Sequence, residues 1–271
     1  MTERLDVRKT YKLYAGGEFV RSESGRSYRA EDANVPRASR KDLRDAVRAA
    51  RVAFPGWSRR TAMNRGQVLY RIAEMLDGRR AQFAALLGGG RPAGREVDAA
   101  VDTLVWHAGL TDKLSQLLGT VNPVAGPYFN FTVPEPTGVV GVVAPDEPPL
   151  LGLVRGLAPV LCGGSTAVAL ASGPRPLAAL CLGEVLATSD VPAGVVNLLT
   201  GHRTELLPWL AAHMDVNAID AAGCSPDELA AVEEAAAANV KRIVLPEDGE
   251  LGPWRAAAFM ELKTIWHPVG V

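Results

Sequence analysis

Three cysteines, four histidines and a short acidic run are the side chains of this sequence with the most chemistry to offer, and their spacing limits what they can do. Cys162, Cys181 and Cys224 are odd in number and form no CxxC pair, which argues against a disulfide framework and a structural zinc site. Cys162 and Cys181 fall on apolar helical patterns, the setting of small buried hydrophobes. Cys224 opens a polar stretch, where a thiol would be reached by solvent. A reactive thiolate needs a neighbouring base or cation, however, and no His or Lys stands beside it. His107, His202, His213 and His267 share no ligand spacing, and His213, at a predicted helix end, is expected to cap or pack; no metal site is expected. Asp146-Glu147 reads as a solvated loop. Glu233-Glu234 and Arg79-Arg80 read as the solvent faces of helices.

The elements that must position these groups are legible in the hydrophobic pattern. Residues 11–32 read as two short strands around Gly16-Gly17 and Ser24-Gly25-Arg26. From Ser39 to about Leu118 the pattern is helical. Ser39 with Asp42 forms a capping-box pair, a second helix follows Thr61, and a third runs through Val97, Val101, Leu104, Val105 and Ala108 after the break at Gly88–Pro92. Beyond it, apolar segments at 139–143, 167–170, 195–199, 216–219 and 243–245 alternate with helical patterns at 150–161, 176–187, 204–212 and 226–239. Fully apolar strands joined by crossovers of this length predict a parallel five-stranded α/β sheet, Rossmann-like, covered on both faces by helices and connected right-handedly. The organisation expected is an N-terminal hairpin, helical segment and arm strand over 1–136, a sheet domain over 137–245, and a linker with a terminal strand over 246–271.

Composition narrows the partners. Basic and acidic residues number 29 and 30, with no long run of either sign, so neither nucleic acid nor an anionic membrane is the expected partner. The N-terminus is polar and no uninterrupted apolar stretch is long enough to span a bilayer, so the cytoplasm is the expected compartment. A sheet of this kind suggests a nucleotide beyond the strand ends. The local chemistry is poor: no GxGxxG follows a strand, the stretch Leu199–Leu207 has Gly201 alone, and Gly163-Gly164-Ser165 precedes a strand rather than following one. The bare residues favour a structural sheet over an intact dinucleotide site.

Several segments resemble the aldehyde dehydrogenase superfamily. Glu135–Pro145 (EPTGVVGVVAP) is similar to the strand that leads into the family's catalytic loop. Leu151–Pro159 with Gly163–Thr166 resembles its LVRKLAPAL…GNT helix and turn, and Val191–Gly201 (VPAGVVNLLTG) its LPPGVVNVVTG stretch. Trp57, Arg65–Glu74 and Phe259–Gly270 match the upstream helix and the final strand. The resemblance implies an NAD(P)-linked fold, but the positions it marks as functional have changed. The family's P-W-N-F-P loop, whose Asn amide donates to an oxyanion, reads Pro145-Asp146-Glu147-Pro148-Pro149, placing Glu147 at the Asn. A carboxylate has no proton to donate there and inverts an interaction that contributes roughly 3–4 kcal/mol in such sites. The ribose-binding K-P-S-E becomes Leu170-Ala171-Ser172-Gly173. GxGxxxG keeps Gly201 but has Arg203 and Leu207 at its later glycines, and F-T-G-S becomes Ala221-Ala222-Gly223-Cys224. The cofactor positions Leu170, Ser172, Gly173, Gly201, Arg203 and Gly223 are thus expected to be a degenerate relic with no cofactor bound. The family's nucleophilic Cys and the Glu of its E-L-G-G-K region have no counterpart here, so no catalytic residue is expected.

In the family, strands from the N-terminal region, from the segment matching Phe129–Val133 and from the extreme C-terminus form an oligomerisation arm that joins a neighbouring subunit's catalytic sheet. All three pieces are expected here, with Phe129, Phe131, Val133, Phe259, Leu262, Ile265 and Trp266 at the interface. The terminal strand follows Leu245 by only the short link Pro246–Pro253, as if a catalytic domain had been excised and the arm kept. This resembles the shortened second copy of tandem, family-16-type aldehyde dehydrogenases. The implied function is a non-catalytic pseudo-subunit that stabilises or organises a complete aldehyde dehydrogenase homologue as a hetero-oligomer, with self-association as a further expectation. The competing expectation is an oxidoreductase subunit that retains NAD(P) and contributes to aldehyde oxidation.

Overall fold

The computed structural model describes residues 9–245 and 251–270; most of the link Pro246–Pro253 lies outside them. The chain opens with β1 (Leu13–Ala15) and β2 (Glu18–Val20), joined by Gly16-Gly17 at φ 63° and 82°, the two positive values that a two-residue hairpin turn requires. A second hairpin, β3 (Ser27–Ala30) and β4 (Ala33–Pro36), turns at Glu31-Asp32. The helices α1 (Arg40–Ser58), α2 (Ala62–Asp77), α3 (Arg80–Leu86), α4 (Gly90–Leu110) and α5 (Leu114–Leu118) follow. Ser39 caps α1 through a complete capping box with Asp42, and Thr61 caps α2. Then come β5 (Thr120–Asn122) and β6 (Tyr128–Pro136), and the alternating run β7 (Val139–Val143), α6 (Pro149–Gly163), β8 (Thr166–Leu170), α7 (Leu177–Ala187), β9 (Val196–Leu199), α8 (Arg203–Ala212), β10 (Ala218–Asp220), α9 (Pro226–Ala237) and β11 (Arg242–Val244). The described chain closes with α10 (Pro253–Ala257) and β12 (Met260–Pro268).

The five apolar strands pair in parallel as expected, but the sheet has seven strands, in the order β11-β10-β7-β8-β9-β1-β2. The opening hairpin is therefore not an arm strand; it extends the large sheet antiparallel along β9. Buried Asn197 on β9 fixes the joint. Its Nδ2 donates to Ala167 O at 3.1 Å and Gly194 O at 2.9 Å, and its Oδ1 accepts from Gly16 N at 2.8 Å. The pairing also covers a β9 edge that would otherwise be open.

Two apolar layers sandwich the sheet. One includes Trp57, Leu69, Phe83, Val97, Leu153 and Leu182; the other includes Leu13, Leu43, Val47, Val168, Leu207 and Leu210. Burial on both faces is why β7 and β8 are buried at every position and, but for Thr166, carry no polar side chain, rather than alternating.

The arm is a separate antiparallel sheet in the order β12-β6-β5. Its third strand is β5, not a strand from the N-terminus. β12 pairs with β6 over its full length, from Met260 opposite Pro136 to Pro268 opposite Tyr128.

Candidate functional site

Strands β7, β8 and β9 build the sheet in one direction, and β10 and β11 build it from the other side of β7. The carboxyl ends of β7 and β10 therefore flank the topological switch point, where open α/β sheets form a ligand crevice. The loops that flank this crevice are in contact. Gly223 N donates to Val143 O at 2.8 Å, and a side chain at Gly223 would collide with Ala144 O. Arg203, the first residue of α8, lies across the ends of both strands. Its Nη1 donates to Gly223 O at 2.6 Å and approaches Glu228 Oε2 at 3.5 Å, while its Nη2 donates to Ala144 O and Asp146 Oδ1, both at 3.0 Å.

Of the other sequence-marked positions, Ser172 and Gly173 join this clasp, while Glu147, Leu170 and Gly201 do not. Asp146 Oδ1 also accepts from Gly173 N at 3.3 Å, and Ser172 Oγ donates to Asp146 O at 3.4 Å, so the Asp146 loop is tied to the end of β8. Glu147 points away into an exposed ion pair, accepting from Arg175 Nη1 at 2.9 Å. Leu170 is buried in the core layer of Leu13 and Val168. Gly201 packs against the Ala38 backbone. Tyr28, from the β3–β4 hairpin, donates to Gly173 O at 3.2 Å, and its ring lies 5.2 Å from His202. Burial pushes the Tyr28 hydroxyl up to about 12, so it stays a donor.

Sequence reasoning missed Glu96. From α4 its Oε1 accepts from Leu150 N at 2.9 Å and Leu151 N at 3.1 Å, capping α6 where that helix has no side-chain cap of its own. The thiols are those of structural cysteines. Burial pushes Cys162 up to about 12 and half-buried Cys224 to about 11, the reverse of nucleophilic activation. His213 ends α8 and its Nδ1 accepts from Asp215 N at 3.2 Å. Among the described residues, no group of three or more His, Cys, Asp or Glu could hold a metal.

The arm presents a second kind of site. Thr137 N donates to Phe259 O at 3.2 Å and Val269 N to Pro127 O at 2.9 Å, at the two ends of the same register. Antiparallel pairs alternate, so the odd-numbered residues of β12 face β6, and Leu262, Thr264 and Trp266 turn their N–H and C=O groups to the outer edge. Phe129, Val133, Leu262, Ile265 and Trp266 are exposed and Phe131 is half-buried. Phe259 departs from expectation: fully buried, it belongs to the main core, because it precedes β12 and packs inside with Ala256 and Met260.

Two arginines fasten the arm to the body. Arg242 Nη1 donates to Ala258 O at 3.0 Å and Met260 O at 2.8 Å, and its Nη2 pairs with Glu261. Arg255 Nη2 meets Asp220 Oδ1 at 2.6 Å. Burial raises the Asp220 carboxyl pKa, and Arg255 opposes that shift.

A parallel sheet wound both ways about β7, with helices on both faces, defines a doubly wound, Rossmann-like α/β fold. The comparisons identify which one: the aldehyde dehydrogenase family model matches residues 27–252, and the chain belongs to that family. Retinal dehydrogenase 2 of Mus musculus is 33% identical over 265 residues, covering 92% of this chain and 50% of that protein. Betaine aldehyde dehydrogenase from Staphylococcus aureus, solved in complex with NAD+, superposes with a TM-score of 0.81 at 26% identity, over 87% of this chain and 49% of that one. PnpE from Pseudomonas sp. WBC-3 gives a TM-score of 0.82 at 30% identity, over 88% and 50%. The chain spans about half the length of the curated relatives it matches. No helix among the described residues is long and apolar enough to cross a membrane.

Proposed function

We propose that this chain is a non-catalytic aldehyde dehydrogenase-like subunit that joins a complete aldehyde dehydrogenase homologue through its arm and stabilises or organises that enzyme in the cytoplasm. The observation that carries this reading is the outer edge of β12, a long strand whose backbone groups at Leu262, Thr264 and Trp266 pair with no strand among the described residues, flanked by exposed apolar side chains. Such an edge is suited to adding a strand to a partner's sheet. Catalysis is not assigned to the chain, because Glu147 stands at the oxyanion position and is ion-paired to Arg175, and all three cysteines are free and at least half-buried. Only a short segment separates β11 from β12, where the family's catalytic domain would have to lie.

The test is co-expression with a full-length aldehyde dehydrogenase homologue, followed by affinity copurification and native mass spectrometry. A hetero-oligomer of fixed stoichiometry is expected. A stable monomer that ignores the homologue, or a chain that oxidises aldehydes with NAD+ unaided, would overturn the reading.

A further inference from the structure

The crevice at the switch point is where an α/β sheet of this family would hold the phosphates of NAD(P), and the residues present do not fit that group. Phosphate recognition there relies on free N–H groups at helix N-termini. In α6 those groups are already used: Pro149 has no N–H, Leu150 and Leu151 donate to Glu96, and Gly152 N donates to Pro148 O at 2.8 Å. In α9, Pro226 has no N–H, Glu228 N donates to Ser225 Oγ at 3.2 Å, and Leu229 N donates to Ser225 O at 2.8 Å, which leaves the N–H of Asp227, itself an acidic residue, in the first turn. The groups that Arg203 meets at the crevice are all acceptors, namely Ala144 O, Gly223 O and the carboxylates of Asp146 and Glu228.

We infer that the switch-point crevice of this chain is a cation seat, filled by the Arg203 guanidinium, and that it rejects a nucleoside diphosphate by charge and because the guanidinium occupies the place. A planar guanidinium offers five N–H donors and suits a ring of carbonyl and carboxylate oxygens. A pyrophosphate in the same place would face two carboxylates and two carbonyls. Arg203 also explains why the loops after β7 and β10 lie together: its two terminal nitrogens bond one carbonyl from each, and Asp146 extends the tie to Gly173 on the β8 side. The seat lies in the sheet domain and makes no use of the arm, so this inference stands or falls separately from association with a partner.

The experiment uses the purified full chain, wild type and Arg203→Ala, in thermal melts with millimolar guanidinium, with tetramethylammonium as the size control, and in calorimetric titrations with ADP and NAD+. Loss of the clasp should lower Tm by roughly 5–10 °C, because Ala144 O and Gly223 O lose the guanidinium donor and two carboxylates lose their cation. Low-millimolar guanidinium should recover part of that loss in Arg203→Ala, leave wild type unmoved, and not be matched by tetramethylammonium. Neither protein should give heat with ADP or NAD+. Nucleotide binding by either protein, or an Arg203→Ala melt that guanidinium does not raise, would overturn the inference. Should Arg203→Ala fail to fold, Arg203→Lys carries the same test: its ammonium keeps the charge but spans fewer acceptors, so its Tm should fall with no nucleotide heat. An unchanged Tm in that variant would overturn the inference.

Discussion

His107 gives the fold a pH dependence that can be isolated by a single substitution. It sits on α4, almost wholly buried, with Nδ1 2.8 Å from Thr103 O and its ring edge-on to Trp106 at 4.9 Å. The Nδ1–H tautomer satisfies that carbonyl, while Nε2 is buried with no partner among the described residues. Protonation would place an unpaired N–H and a full charge there, and desolvation accordingly pulls the imidazole from 6.5 down to about 4. The unfolded chain thus binds a proton that the folded chain refuses between those values, so stability rises with pH across the window and falls as pH drops from about 6.5 towards 4. At 1.36 kcal/mol per pH unit, the full span corresponds to about 3 kcal/mol. Urea unfolding at half-unit steps from pH 7.5 to 4.5, compared between wild type and His107→Leu, isolates this contribution from the carboxylates. The wild-type curve should fall below the variant's acid limb by about 2 kcal/mol by pH 5. Parallel curves would refute the assignment of a neutral, desolvated imidazole.

Two further substitutions test the site and its surroundings. Glu96→Ala removes the acceptor for Leu150 N and Leu151 N and should destabilise the chain by about 1–3 kcal/mol in urea melts, whereas Glu96→Gln, which keeps an acceptor oxygen, should cost less. Cys224, with its thiol pushed up from 9 to about 11, should alkylate roughly a hundredfold more slowly at pH 7.5 than a thiol of ordinary pKa, as read by intact mass against iodoacetamide.

Much of the fold was legible because it is local or periodic. The Ser39–Asp42 capping box, the apolar strands β7 and β8 and the helices between the parallel strands depend on neighbours within a turn or on burial of both sheet faces. What was not legible depends on long-range meetings. Glu96 reaches Leu150 across 54 residues, and no local pattern marks it as a cap. The Gly16-Gly17 turn announces a hairpin, yet only Asn197, 181 residues from Gly16, shows that the hairpin extends the main sheet. Phe259 shares its apolar character with Ile265, so sequence placed both on the arm; the turn after α10 sends one inward and leaves the other exposed. At the crevice, sequence marked Arg203 as a substituted glycine position. Only the geometry reveals that its guanidinium joins the loops of two strands.

The arm itself has a built-in direction. β6 alternates with β12, so its even-numbered residues turn their backbone groups towards β5. Two of these, Pro134 and Pro136, have no N–H, and β5 is only three residues long with Pro123 following it. That side cannot template another long strand. The β12 side keeps N–H groups at Leu262, Thr264 and Trp266 and ends at Pro268, which halts the ladder. The charged Lys263 is paired to Glu135 across the ladder and does not guard the edge. An exposed edge flanked by apolar side chains is a liability in isolation and a ready template for a partner's strand, and Arg242 and Arg255 fix only the base of the arm to the body. Thr264→Pro should therefore abolish copurification of the complete homologue while leaving the thermal melt within a few degrees, because the N–H it removes faces outward. Val121→Pro, on the opposite edge, should leave the complex intact. Equal loss from both substitutions would place the contact on a face of the arm rather than at its edge.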